Sequence, residues 1–279
     1  MLFRSGARTG ASRAWDWVTA GLEPPLGRET LTLDELRAFA GDVSARLHAR
    51  SSALVTLGLP KNYDAALVEK IYEGMGALAK EHGVAIVGGE TTTCPERMFL
   101  SIALLGHVAK GRAVLRSGAK TGDATFVTGE LGGSLAGKHL DFEPRFAEAR
   151  WLASHFKVHA MIDLSDGLAG DLRQILNASH VGAELLSQAV PVTRISKLAA
   201  RESTSAKPAL LAALTDGEDF ELLFTVASSS AVRLLDAWKE KYPKLKLSCI
   251  GKITNESGLR LRDARGVQTF NANGYVHFS

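Results

Sequence analysis

The sequence predicts a mixed α/β fold of the α+β type, shared between two domains. Three observations carry that expectation. Short apolar runs of strand length, such as "ALVTLGLP", "VAIVGG", "ATFVTG" and "FELLFTV", alternate with longer stretches whose apolar residues recur at helical spacing. The 279 residues suffice for two cores of ordinary size. A turn-rich link, "SGAKTGD", interrupts the pattern in mid-chain. The predicted division is 1–52 as a diverged leading segment, 53–120 as a partial first domain and 121–279 as a second domain.

The elements follow in order. "ALVTLGLP" reads as a buried strand ended by Pro60. Asp64 caps a helix whose Leu67, Ile71, Met75 and Leu78 share one face, and Gly83 closes it. "VAIVGG" and "RMFLSIALLGHVA" read as further strands, the second a buried one. After the link come the strand "ATFVTG", a Gly-rich turn opening a helix, and helical sequence to about Phe156. An apolar strand then runs into "MIDLSDGLAGDL", which opens a helix near Gly167 with Leu168, Leu172, Ile175 and Leu176 on its packing face. The strand "GAELL", helices around 194–214, "FELLFTV", a helix near 230–241 and "LSCIGKI" complete the series.

Composition narrows the function. Hydrophobic residues make up 46% and charged residues 23%, the balance of a soluble globular chain. The net charge is +3, with basic residues spread along the chain, which does not suggest nucleic-acid binding. Cys94 and Cys249 lie far apart and give neither a disulfide framework nor metal spacing, so a reducing, cytoplasmic setting is expected. The longest apolar run, "MFLSIALLGHV", is too short to span a bilayer. The first fifty residues hold seven arginines and no lysine. Their Arg/Ser/Ala-rich, acid-poor opening has a transit-peptide flavour, but its apolar and basic residues do not separate onto two helical faces. A diverged or truncated segment fits it better.

Three acidic stretches carry the chemistry. In "MIDLSDGLAGDL", Asp163 and Asp166 flank Ser165 where a strand ends and a helix begins. One reading makes Asp166 the helix cap and Asp163 a solvated strand residue. The other makes them hard oxygen ligands for Mg²⁺, which favours one or two carboxylates completed by phosphate oxygens. "VGGETTT" places Gly88, Gly89, Glu90, Thr91 and Thr92 in an oxygen-rich turn. "TDGEDFELLFTV" sets Asp216, Glu218, Asp219 and Glu221 around a glycine, either as a solvated turn or facing a cationic or donor-bearing ligand. "GGSLAGKH" nearly fits the phosphate-loop pattern, but His139 stands where a Ser or Thr hydroxyl is needed. It reads as a Gly-started helix. No G-x-S-x-G elbow is present, and the scattered histidines suggest no triad.

In order and spacing, "VGGETTT", "LRSGAKTGD", "MIDLSDGLAGDL", "GEDFELLFT" and the terminal "NGYVHF" resemble the thiamine-monophosphate kinase family. That family is a branch of the aminoimidazole ribonucleotide synthetase-like superfamily, whose members use ATP without a P-loop. The resemblance covers roughly Ala53 to Ser279. It implies the superfamily's two-domain architecture with an incomplete N-terminal domain, a homodimer, and phosphorylation of thiamine monophosphate by ATP with several Mg²⁺ ions. Carried over residue by residue, it makes Asp163, Asp166 and Glu90 metal ligands. Tyr72, Gly89, Glu90, Arg116 and Ser165 become ATP contacts, while Glu218 and Tyr275 fall on the substrate side. No acid/base residue is implied, because the accepting phosphate oxygen is already anionic.

Two departures accompany the resemblance. Glu90 replaces the family's Asp and is one methylene longer. The family's upstream Gly-Asp-Asp, Thr-Thr-Asp and Gly-Val-His-Phe motifs have no counterpart before Ala53. Only "GDVSARLHARSSALVTL" aligns without gaps, to a Ser-Asp motif, and makes Asp42 a metal candidate. Two alternatives therefore stand beside the kinase. One is a degenerate homologue that binds nucleotide or dimerises without turnover. The other is a superfamily synthetase with a different phosphate acceptor, in which "GEDFELLFT" would not be expected.

Overall fold

Alternate apolar positions at Ala53, Val55, Leu57 and Leu59 make Ser51–Leu59 the buried strand β1. The structure, a computed structural model, describes residues 51–202 and 207–272. Asp42 and Tyr275 lie outside the described residues. The chain divides into two units, Met1–Ala109 and Lys110–Ser279, each described by itself.

In the first unit, helix α1 (Ala65–Glu81) starts where expected, with the Asp64 carboxylate accepting the Ala66 N–H at 2.9 Å. Gly83 follows its last turn in a left-handed conformation. Strand β2 (Val84–Thr93) pairs parallel to β1, and β3 (Phe99–Gly106) pairs antiparallel on its other side, giving the order β2-β1-β3. Two expectations change here. "VGGETTT" is the second half of β2 rather than a turn, because its backbone pairs with β1 through Thr93. The apolar run of β3 is exposed rather than buried: as an edge strand with one neighbour it leaves Leu104 68% accessible, and no residue of α1 is buried either.

The second unit is a seven-stranded sheet in the order β10-β9-β6-β8-β4-β7-β5. Its strands are β4 (Asp123–Thr128), β5 (Val158–Asp163), β6 (Gly182–Leu186), β7 (Leu222–Ala227), β8 (Leu247–Thr254), β9 (Gly258–Asp263) and β10 (Gly266–Thr269). All neighbours are antiparallel except β6 and β9. β4 and β7 are buried on both faces, so their sequences read as continuous runs rather than alternations. Val127 and Leu223 belong to one core with helix α3 (Leu168–Ser179). Phe126 and Phe224 stack at 5.6 Å in a second core with α2 (Phe146–His155) and α6 (Ala231–Lys241). The predicted face of α3, Leu168, Leu172, Ile175 and Leu176, is entirely buried, at about 1.5–3 kcal/mol per side chain.

Helices α4 (Arg194–Glu202) and α5 (Ala209–Thr215) fall in the expected interval. The Gly-rich "GGSLAGKH" does not start an α-helix. It forms two 3₁₀ turns, Ser134–Ala136 and Lys138–Leu140, broken by Gly137 at φ +137°. β9 and β10 differ from the expectation: alternate Arg260 and Arg262 mask the strand pattern of β9, and β10 is only four residues long. Arg262 is held by the Glu184 carboxylate of neighbouring β6. The outer edge of β5 is covered by the preceding segment, where the Leu115 carbonyl accepts the Met161 N–H at 3.3 Å.

Candidate functional site

The junction of β5 and α3 carries the first motif. The residue before α3 is Gly167, and no side chain caps the helix, so Asp166 is not spent on capping. The turn is held from inside instead. Asp171, buried one turn into α3, accepts the Ser165 and Asp166 N–H groups on one carboxylate oxygen, both at 3.0 Å. Burial pushes its carboxyl up to about 6, and the negative charges of Asp166 and Asp163 add to the rise. Among the described residues, neither the Asp163 nor the Asp166 carboxylate takes a hydrogen bond or ion pair.

The second motif lies against the first. The chain ahead of β7 pairs with the residues after β5: Leu164 N–H donates to Glu221 O, Phe220 N–H to Leu164 O, and Glu218 N–H to Ser165 O, each at 2.8 Å. Gly217, at φ +77°, makes the approach possible, since a Cβ there would sit 2.6 Å from the Ser165 carbonyl oxygen. Glu218 and Phe220 also adopt left-handed backbone, φ +58° and +50°, and Ser134 Oγ donates to the Glu218 carbonyl at 2.5 Å. Side chains divide by depth along this stretch: Asp219 and Glu221 are 1% and 2% exposed, whereas Glu218 is exposed and Phe220 half-buried.

The inward acids are structural. Glu221 accepts Arg145 Nε at 2.8 Å and Nη2 at 2.9 Å, Lys138 Nζ at 3.0 Å and Thr128 Oγ1 at 2.7 Å. Burial opposes its ionisation, yet Arg145, Lys138 and Thr128 together hold it below the usual carboxylate range. Asp219 accepts the Gly132 N–H at 2.9 and 3.1 Å, and burial pushes it up to about 7. The Gly132 amide is thus bound to the protein's own carboxylate, which disposes of the phosphate-loop reading of "GGSLAGKH".

Arg116 stands on a 3₁₀ turn, Arg116–Gly118, tied to the end of α3 by Ser179 Oγ, which donates to the Arg116 carbonyl at 2.8 Å. Arg116 and Asp163 line one open pocket of about 520 Å³ with Leu115, Ser117 and Met161. A cation and a free carboxylate in one pocket suit a polyphosphate carrying a divalent metal. Among the described residues no three His, Cys, Asp or Glu side chains converge to form a cage. The donor set therefore fits Mg²⁺, which relies on few carboxylates and on phosphate oxygens, and would not suit a metal that needs an all-protein shell.

The remaining predicted residues lie in the first unit. Tyr72 is exposed on α1, while Gly89 and Glu90 are in β2, opposite Val55 and Thr56. At Gly89 a Cβ would run into the Val55 main chain, which explains the glycine by strand contact alone. In the second unit the structure thus puts Arg116 in one pocket with Asp163, and joins Ser165, next to Asp166, to Glu218 through the main chain. Sequence reasoning gave no role to Asp171, Lys138 or Arg145, and grouped Asp219 with Asp216, Glu218 and Glu221 without separating inward from outward acids. Asp171 had a signal, since it stands five residues after Asp166 on a helix face otherwise made of apolar residues.

Comparison with known proteins gives matches over both units. Residues 40–108 match the model of the AIR synthase related protein N-terminal domain, and residues 117–264 match that of its C-terminal domain. A thiamine-monophosphate kinase of Rhodopirellula baltica is 39% identical over 238 residues, covering 85% of this chain and 72% of that protein. The crystal structure of a thiamine-monophosphate kinase from Stenotrophomonas maltophilia superposes with a TM-score of 0.65 at 30% identity, over 82% of this chain and 77% of that one. AaThiL complexed with AMPPCP and TMP also gives a TM-score of 0.65, at 27% identity, over 87% and 79%.

Proposed function

The chain belongs to the thiamine-monophosphate kinase family, and from that premise we propose that it transfers the γ-phosphoryl group of ATP directly to a phosphate oxygen of thiamine monophosphate. The products are thiamine diphosphate and ADP. The observation that supports this reading is the pairing of the "SDG" and "GED" stretches through Glu218 N–H and Ser165 O, which holds the two acidic stretches side by side. The AMPPCP and TMP bound by AaThiL are the ligand pair this arrangement calls for.

In the proposed reaction Asp163 and Asp166 hold Mg²⁺, with Glu90 and Asp42 as further ligand candidates in the first unit. The ions supply charge neutralisation on the phosphates. Arg116 steadies the ATP phosphates, with Ser165, Gly89, Glu90 and Tyr72 as further nucleotide contacts. Glu218 and Tyr275 face thiamine monophosphate. No side chain is required as a general base, because the accepting oxygen carries negative charge at neutral pH. The exposed apolar edge of β3 supports a homodimer in which two such edges are covered by each other. The two separated cysteines, which give no disulfide framework, support a reducing, cytoplasmic setting; no described helix is long and apolar enough to cross a membrane.

Release of ADP by the purified chain with Mg²⁺, ATP and thiamine monophosphate tests the reading. Formation of thiamine diphosphate supports it. Nucleotide binding without turnover supports the degenerate homologue instead.

A further inference from the structure

We propose that Phe142 and Phe220 form a stacking platform that, with the Glu218 carboxylate, selects a cationic aromatic heterocycle. Within the kinase reading, on which this rests, that heterocycle is the thiazolium–aminopyrimidine part of thiamine monophosphate. The two rings lie face to face, 4.2 Å between centroids and 17° between planes. Neither belongs to the two hydrophobic cores of the unit, and Phe142 remains 37% accessible. Core packing therefore does not account for the pair.

The backbone at Phe220 points the same way. A bulky residue at φ +50° is strained, and a second non-glycine residue, Glu218, is held in the same left-handed region two positions earlier. Both conformations are imposed by the hydrogen bonds to Leu164 and Ser165 and by Ser134. Their result is the division by depth already noted, with Asp219 and Glu221 turned inward, Glu218 exposed and Phe220 half-buried. An exposed carboxylate thus lies two positions from a half-buried ring whose stacking partner, Phe142, is accessible.

An aromatic face alone would accept any flat apolar ring. Its negative quadrupole, combined with a carboxylate, prefers a ring that carries positive charge or donor groups. The thiazolium ring supplies the first and the aminopyrimidine the second. Phe142 is then a specificity-determining residue contributed by the stretch between the second 3₁₀ turn and α2, outside both acidic motifs.

The test uses the full chain with Phe142→Leu and Phe142→Trp, and titrates each by calorimetry with thiamine monophosphate, with phosphate-free thiamine and with AMPPCP. Phe142→Leu is expected to weaken both thiamine compounds roughly tenfold while AMPPCP affinity stays at the parent value, and Phe142→Trp to restore them. Equal thiamine monophosphate affinity in the parent and Phe142→Leu would overturn the platform and leave the kinase reading standing. A parallel loss of AMPPCP affinity would also overturn it, because it would reveal a merely structural role. A parent that binds AMPPCP but no thiamine compound would instead overturn the kinase reading, and the platform with it.

Discussion

Asp171 accepts the main-chain N–H of Asp166 at 3.0 Å, so the two carboxylates of one short motif have opposite tasks. The buried one shapes the turn, and the outer one is left without a protein partner. This division makes their substitutions separable. Asp166→Asn should leave urea-unfolding stability within about 0.5 kcal/mol of the parent, since no cap or ion pair is lost. Turnover or Mg²⁺-ATP affinity should fall at least roughly tenfold, because even groups that only orient a ligand cost ~10–100-fold. Unchanged kinetics in an active parent would remove Asp166 from the metal site.

Asp171→Ala should behave in the reverse order. Two amides lose their shared buried acceptor, and stability should drop by roughly 1–3 kcal/mol. Asp171→Asn retains an acceptor oxygen and should recover most of the loss. Denaturant midpoints of the two variants decide this directly.

Glu218→Gln keeps the side-chain shape but removes its charge. Its main chain carries the hydrogen bonds to Ser165 and Ser134, so the fold should be untouched. The KM for thiamine monophosphate should rise roughly tenfold with little change for ATP. A defect confined to ATP would assign this stretch to the nucleotide.

Asp219 predicts a pH effect on stability. Its carboxyl titrates at about 7 in the folded chain and near 3.9 when unfolded. Between those values the folded state keeps a proton that the unfolded state has released. The stabilisation is full below the unfolded value and is lost as pH rises through about 7. Asp219→Asn, whose amide oxygen can still accept the Gly132 N–H, should therefore gain on the parent when unfolding is compared at about pH 5 and about pH 8. A pH-independent difference would mean that Asp219 is ionised throughout.

The parts read correctly from sequence are those written in local periodicity. The buried face of α3 and the Asp64 cap needed only spacing and residue type, and they stand as expected. What failed was information carried by neighbours. Exposure of Leu104 depends on whether a strand covers β3, which its own sequence does not say. The Gly-rich 132–139 stretch became 3₁₀ turns because Gly132 is tied to Asp219, 87 positions away. At the site, the acids themselves were visible, but which of them face inward was not. Asp219 and Glu218 are adjacent in sequence, and only long-range contacts with Gly132, Lys138 and Ser134 separate their roles.

The segment lying along the outer edge of β5 has a consequence beyond placing Arg116. A bare outermost strand offers unpaired N–H and C=O groups to any other chain, and β5 would otherwise do so beside the acidic motif. Leu115 occupies one of those groups on Met161, and Ser179 fastens the turn that follows. The Arg116 guanidinium, which lines the pocket with Asp163, is thus mounted on the shield that keeps this sheet from recruiting strands from other molecules. Loosening that shield to reshape the pocket would also invite self-association, so the two properties cannot be adjusted independently.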